Sequence, residues 1–184
     1  MIRGIFRLSP LLLASATLLA APFALHAQSQ HAHVHGQVRL DIAIEGPSVV
    51  IQMEAPLDNF VGFERAPRNA AETQAVEQAV AKLRAADALF TIDPAGNCKL
   101  GPVDLRAPVL GLGATPAGAP AAGHADLDAT FAFNCASAAA TKFIDVGLFT
   151  AFKGPRQIEA QIVAPQGQFK RTLKRANARI AWSK

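Results

Sequence analysis

The sequence predicts an α+β domain: a mainly antiparallel β-sheet of about seven strands, one clear helix at about residues 69–90, and one disulfide. Three features carry the prediction. Segments of period-two apolar alternation, at 38–45 and 127–135 above all, recur between turn residues. One stretch alone holds a 3.6-residue apolar stripe, through Val76, Val80 and Leu83. The chain has two cysteines, Cys98 and Cys135.

The first 27 residues are set apart from this domain. Arg3 and Arg7 precede an apolar run from Leu8 to Leu25, and a small residue, Ala27, comes before a polar turn; these are the three parts of a secretory signal peptide. Pro10 and Pro22 interrupt the run, and a membrane span wants about 20 unbroken apolar residues. The expectation is cleavage after Ala27, leaving residues 28–184 as a single exported domain with no transmembrane anchor. Of 18 Lys+Arg, two leave with the leader, so 16 face 14 Asp+Glu and the net charge falls from +4 to +2. That modest excess gives little pull on polyanions.

Along the remaining chain, 38–45 reads as a half-buried strand, Gly46-Pro47 as a turn, and 49–54 as its hairpin partner. The loop 57–67 contains Leu57, Phe60, Val61 and Phe63, which predicts packing onto the core. Asn69 with Glu72 three residues on reads as a capping box opening the helix, which Leu89-Phe90 closes. Residues 93–97 form a turn before a strand at 98–105. The stretch 107–123 is Gly/Ala/Pro-rich and uncharged, and reads as a flexible loop. In the strand that follows, Leu127 to Cys135 in steps of two share one face, with His124, Asp126 and Asp128 on the other. Residues 138–152 are apolar and mixed, with a short helix expected there; strands at 157–164, 169–174 and 179–182 finish the chain.

In an oxidising compartment an even pair of cysteines most simply forms one disulfide. Thiolate metal ligands usually arrive as C-x-x-C pairs, which are missing here. The histidines are more distinctive. His31, His33 and His35 alternate, so on an extended backbone they project from one face. Neighbouring imidazoles of that kind suit Zn²⁺, Cu²⁺ or Ni²⁺ and discriminate against Ca²⁺ and Mg²⁺. A fourth ligand could be water, His124, Asp126 or Asp128. The competing reading is a solvated tail that binds metal weakly.

No H-E-x-x-H, G-x-S-x-G or P-loop motif occurs, and both cysteines are expected to be oxidised, so no enzyme is expected; a zinc hydrolase is the remote alternative. The basic residues of the last third, Lys153, Arg156, Lys170, Arg171, Lys174, Arg175, Arg179 and Lys184, have only Phe169 and Trp182 between them, no run of interleaved aromatics for base stacking. They read as a solvated face, and no nucleic-acid partner is expected.

Several motifs taken together resemble the ZrgA-like family. They are His31-Ala-His-Val-His-Gly36; Pro56-Leu-Asp-Asn-Phe-Val-Gly-Phe-Glu64 with Ala66-Pro67; the two cysteines; His124-Ala-Asp-Leu-Asp128 before Phe133-Asn-Cys135; Asp145-Val-Gly-Leu-Phe149; and Val163-Ala-Pro-Gln-Gly167. The resemblance covers nearly all of the chain after the leader. It implies a bacterial periplasmic protein, produced under zinc control, that binds zinc and assists its acquisition beside a dedicated transporter. It also implies metal ligands among His31, His33, His35, His124, Asp126 and Asp128, with Zn²⁺ as the bound ion and a periplasmic transporter component as partner. The chain departs from the family pattern twice. Many relatives have a central loop dense in His, Asp and Glu, whereas 107–123 has none. The family's loop tends to read Gly-Phe-Glu-His, whereas this chain has Arg65, a permanent cation that cannot ligate a metal. The rival expectation from another class is an envelope interaction module in which metal plays no part.

Overall fold

Strand β1 (Gln37–Glu45) alternates half-exposed and buried side chains along its length, with Val38, Leu40, Ile42 and Ile44 facing inward. It turns at Gly46-Pro47 into β2 (Ser48–Pro56), pairing from Glu45↔Ser48 to Arg39↔Glu54, the hairpin that the alternation predicts. The computed structural model describes residues 34–113 and 125–182. The expected leader at 1–27, residues His31, His33 and His124, and the stretch 114–123 of the expected loop lie outside the described residues.

Nine strands, in two sheets, are found among the described residues. The large sheet runs β4 (Cys98–Arg106), β5 (Asp126–Cys135), β2, β1, β7 (Gln157–Ala164), β8 (Gly167–Lys174). All its pairings are antiparallel except β1 with β7, which is parallel from Gln37↔Gln157 to Ala43↔Val163. The small sheet, β3 (Phe90–Ile92), β6 (Phe143–Val146) and β9 (Arg179–Ala181), is antiparallel. The architecture is the α+β class expected. The two strands beyond the seven expected are β3 and β6, each too short to display a period.

Strand β4 lies at an edge and shifts register between Leu100 and Val103. Pro102 falls within that shift, where its missing N–H costs no ladder bond. At the start of the strand, Cys98 and Cys135 stand directly opposite each other and are joined by the expected disulfide.

Helix α2 (Ala70–Arg84) opens as predicted, with the Asn69 side chain accepting from the Glu72 N–H at 2.9 Å. The other half of the capping box is displaced: Glu72 accepts from the Arg68 N–H rather than from Asn69. The helix also ends six residues short of position 90. Residues Ala86–Ala88 form a 3-10 turn, and Phe90 leaves the helical stripe to become the first residue of β3. Burial is the reason. Phe90 is 1% exposed, and its ring meets that of Phe131 at 5.1 Å, linking the small sheet to the large one. Tertiary packing here outweighs helical periodicity.

The core lies on the inner face of the large sheet, filled by Leu40, Ile51, Phe131, Ile158 and Ile162, and is shared with Ile144, Ile180, Leu83 and Trp182. Trp182 is 1% exposed and its indole donates to the Thr141 carbonyl, so its one polar atom is satisfied. The expected short helix in 138–152 is divided into a 3-10 turn (Ala138–Ala140), strand β6, and one helical turn, α3 (Leu148–Ala151).

Of the basic residues of the last third, Lys153, Arg156, Lys170 and Lys174 are exposed, as a solvated face requires, while three arginines reach back onto the fold. Arg175 donates to the carbonyls of Phe149, Phe152, Lys153 and Pro155, gathering the loop after α3 around one guanidinium. Arg179 forms a two-pronged pair with Asp145, and Arg171 donates to the Ala181 carbonyl.

Candidate metal centre

After β2 the chain cannot continue as a strand: Leu57 is drawn into the core at 1% exposure and its N–H donates to the Ala125 carbonyl beside β5. One turn of helix follows, α1 (Asp58–Val61), closed by the Gly62 N–H on the Asp58 carbonyl. Of the four apolar residues that predict a packed loop, Leu57 is in the core and Phe60 and Val61 lean on it, whereas Phe63 lies under Arg65 instead. The turn leaves Asp58 at its start and Glu64 just past its end, both facing the segment that leads into β1.

His35 is on that segment. Its Nδ1 lies 2.5 Å from Asp58 Oδ2 and 3.8 Å from Glu64 Oε1. Ligand atoms of the three residues all fall within 4.8 Å of one another, and this is the one such group among the described residues. His35 is more than half exposed, Asp58 about a quarter, and Glu64 less.

Gly36 holds His35 in place. It has φ +83, a conformation that a side chain would strain. Its N–H donates to Asn59 Oδ1 at 2.8 Å, and its carbonyl accepts from the N–H groups of Arg156 and Gln157. Asn59, 3% exposed, also donates through Nδ2 to the Gln37 carbonyl at 2.8 Å. The residue after Asp58 thus grips the backbone after His35. Behind Asn59 sits Gly154, where a methyl group would run into the Asn59 backbone. The loop that Arg175 gathers therefore presses directly on the centre's support.

The electrostatics favour a cation. Hydrogen bonding to Asp58 is the largest cause raising the His35 pKa above its usual 6.5, with the Asp58 charge adding to it and Glu64 contributing less. The other Asp58 oxygen, Oδ1, is buried and accepts no hydrogen bond. A buried carboxylate oxygen without a donor is an unfavourable arrangement that a metal ion relieves. One imidazole and two carboxylates match the nitrogen and oxygen donors that zinc accepts at about 2.0–2.2 Å. The donor set therefore fits zinc. A zinc ion held between these residues would take the place of the proton in the His35–Asp58 hydrogen bond.

Arg65, beside Glu64, turns the other way. It pairs with both Glu72 carboxylate oxygens, at 2.6 and 2.8 Å, and lies over the Phe63 ring. That pairing, with the Arg68 N–H, lowers the Glu72 pKa to about 2. The arginine pins the loop carrying Glu64 to the start of α2.

Of the sequence-expected ligands among the described residues, His35 alone belongs to this group. Asp126 is exposed at the start of β5, opposite Pro56. Asp128 is held by Arg106, whose Nη2 lies 2.6 Å from its Oδ2. Residues Asp58 and Glu64 were not expected as ligands. Their signal was two acidic residues inside a loop otherwise committed to the core, where a carboxylate needs a partner.

A protein-family model, that of the ZrgA family zinc uptake protein, matches residues 32–182. The chain belongs to the ZrgA family. A search of curated proteins found no match. The family's description makes this a protein related to zinc uptake.

Proposed function

We propose that the chain is a periplasmic, non-catalytic zinc-binding protein that assists zinc uptake, holding the ion as cargo between His35, Asp58 and Glu64. The observation that carries this is the convergence of the three side chains, one of which, Asp58, also has a buried oxygen without a donor, in a chain of a zinc uptake family. Exposure of His35 supports the cargo reading, because an ion reachable from solvent can be passed on by ligand exchange. His33 precedes His35 by two residues, and His124 adjoins Ala125, whose carbonyl accepts from Leu57. Both remain proposed donors, as do His31, Asp126 and Asp128. A periplasmic component of a zinc transporter is the proposed recipient.

Isothermal titration of the protein with Zn²⁺ tests the proposal. Single variants His35→Ala, Asp58→Asn and Glu64→Gln are each expected to weaken binding by at least the roughly tenfold that losing a ligand's hydrogen-bonding support costs. Zinc uptake by the triple variant equal to that of the parent would overturn the assignment of these ligands. His33→Ala and His124→Ala measure the share of the neighbouring histidines.

A further inference from the structure

Asp58 lines a second feature besides the metal centre. An open cleft of about 630 Å³ runs between α1, α2 and the loop after α3. Its floor holds Phe60 and Phe152, whose rings meet edge to face at 5.0 Å. Across it, Lys82 donates to the Ala151 carbonyl and lies 5.5 Å from the Phe152 ring centre. Lys153 is exposed at the rim and has no ion pair among the described residues. The charged residues lining the cleft are Asp58, Lys82 and Lys153.

We infer that this cleft docks an acidic segment of a partner protein, and does so more strongly when the adjoining centre holds zinc. The inference rests on the zinc reading above. Charge complementarity names the occupant: two lysine ammonium groups over an aromatic floor suit carboxylates spaced by apolar side chains. The chain's own remaining segments cannot fill this role. All 14 Asp and Glu lie within the described residues, so 1–33, 114–124 and 183–184 offer no carboxylate side chain.

The gating follows from charge. With His35 neutral, the empty centre carries −2 from Asp58 and Glu64, which cancels the +2 of Lys82 and Lys153. Zinc adds +2, so centre and cleft together rise from 0 to +2. If the empty centre also holds a proton on His35, the rise is from +1 to +2. Either way the loaded protein attracts an acidic segment more than the empty one, and a recipient with such a segment would engage the chain when there is an ion to collect.

The probe is a fluorescently labelled octapeptide of alternating Glu and Leu, with a Gln-for-Glu counterpart, followed by anisotropy against the full chain. The protein is either loaded with one equivalent of zinc and desalted, or stripped with chelator and desalted. Lys82→Glu/Lys153→Glu changes exposed side chains and leaves the ligands intact. The loaded parent is expected to bind the acidic peptide about tenfold more tightly than the stripped parent, the double variant to lose about tenfold, and the Gln peptide to respond to neither. Zinc uptake, titrated in parallel, is expected to keep the parent's stoichiometry in the variant, with affinity no lower, since the reversed charges favour a cation. Zinc uptake without lysine-dependent peptide binding overturns the docking alone. No zinc uptake by the parent overturns the zinc reading and the gating with it. Phosphatidylglycerol vesicles that bind through the same lysines and displace the peptide would make the occupant a lipid surface, and the peptide inference fails.

Discussion

The side chain of Asn59 bonds to the backbone on both sides of the Gly36–Gln37 peptide, accepting from Gly36 and donating to Gln37. Because Asn59 follows Asp58 and Gly36 follows His35, two hydrogen bonds fix the separation of two proposed ligands. Asn59→Ala should cost about 2–3 kcal/mol in urea unfolding, since it leaves buried backbone groups unpaired. Its loss of zinc affinity should exceed that of Ile158→Val, which removes one buried methyl group from a core strand. Equal losses in the two variants would show that Asn59 serves stability alone.

On the proposed reading, zinc competes with the proton of the His35–Asp58 hydrogen bond. Because that pKa lies above 6.5, apparent affinity should begin to fall at a higher pH than for an isolated histidine, and keep falling as pH drops. In the metal-free protein the sign is reversed. A raised folded-state pKa stabilises fully below 6.5, and the contribution disappears as pH rises through the folded value. Asp58→Asn should move the onset of zinc loss to lower pH, measured by a competing chelator dye.

Gly154→Ala should lower the melting temperature without touching a ligand, because the added methyl group meets the Asn59 backbone rather than a movable side chain. Overpacking of this kind costs about 1–3 kcal/mol. Differential scanning calorimetry would reveal it, and an unchanged transition would show that the loop gives way.

Glu72 reports on acid. Its pKa of about 2, set first by Arg65, is below the ordinary 4.5. Its contribution is present above 4.5 and lost as pH falls towards 2. Arg65→Ala should therefore flatten the fall in stability over that window, seen in denaturation midpoints taken from pH 6 to pH 2.5.

Reducing Cys98–Cys135 opens a constraint spanning 37 positions, worth about 4 kcal/mol in the chain-entropy treatment. Dithiothreitol should lower the urea midpoint accordingly. Zinc binding is expected to persist in whatever fraction stays folded, because neither cysteine is among the proposed ligands.

The large sheet was legible because its strands are long enough to display a period and its hairpins turn at Gly46-Pro47 and Pro165-Gln166. The small sheet was not. Phe90 and Ile144 belong to strands of three and four residues, where alternation cannot be told from the end of a helix. The parallel pairing of β1 with β7 has no local signature, since nothing near Val38 names Ile158 as its neighbour. The candidate centre was half legible for the same reason. His35 announces itself by alternation with His31 and His33, but Asp58 and Glu64 come to it through a fold-back across 23 and 29 positions.

All three proposed ligands occur within the first 64 positions, yet a fragment ending there would not hold them together. The carbonyl of Gly36 is anchored by Arg156 and Gln157, and β1 is flanked on one side by a strand made more than a hundred residues later. His35 is therefore made long before the fold can organise it beside Asp58 and Glu64. On the proposed reading, ordered capture of the ion is reserved for molecules whose synthesis and closure have both reached β7.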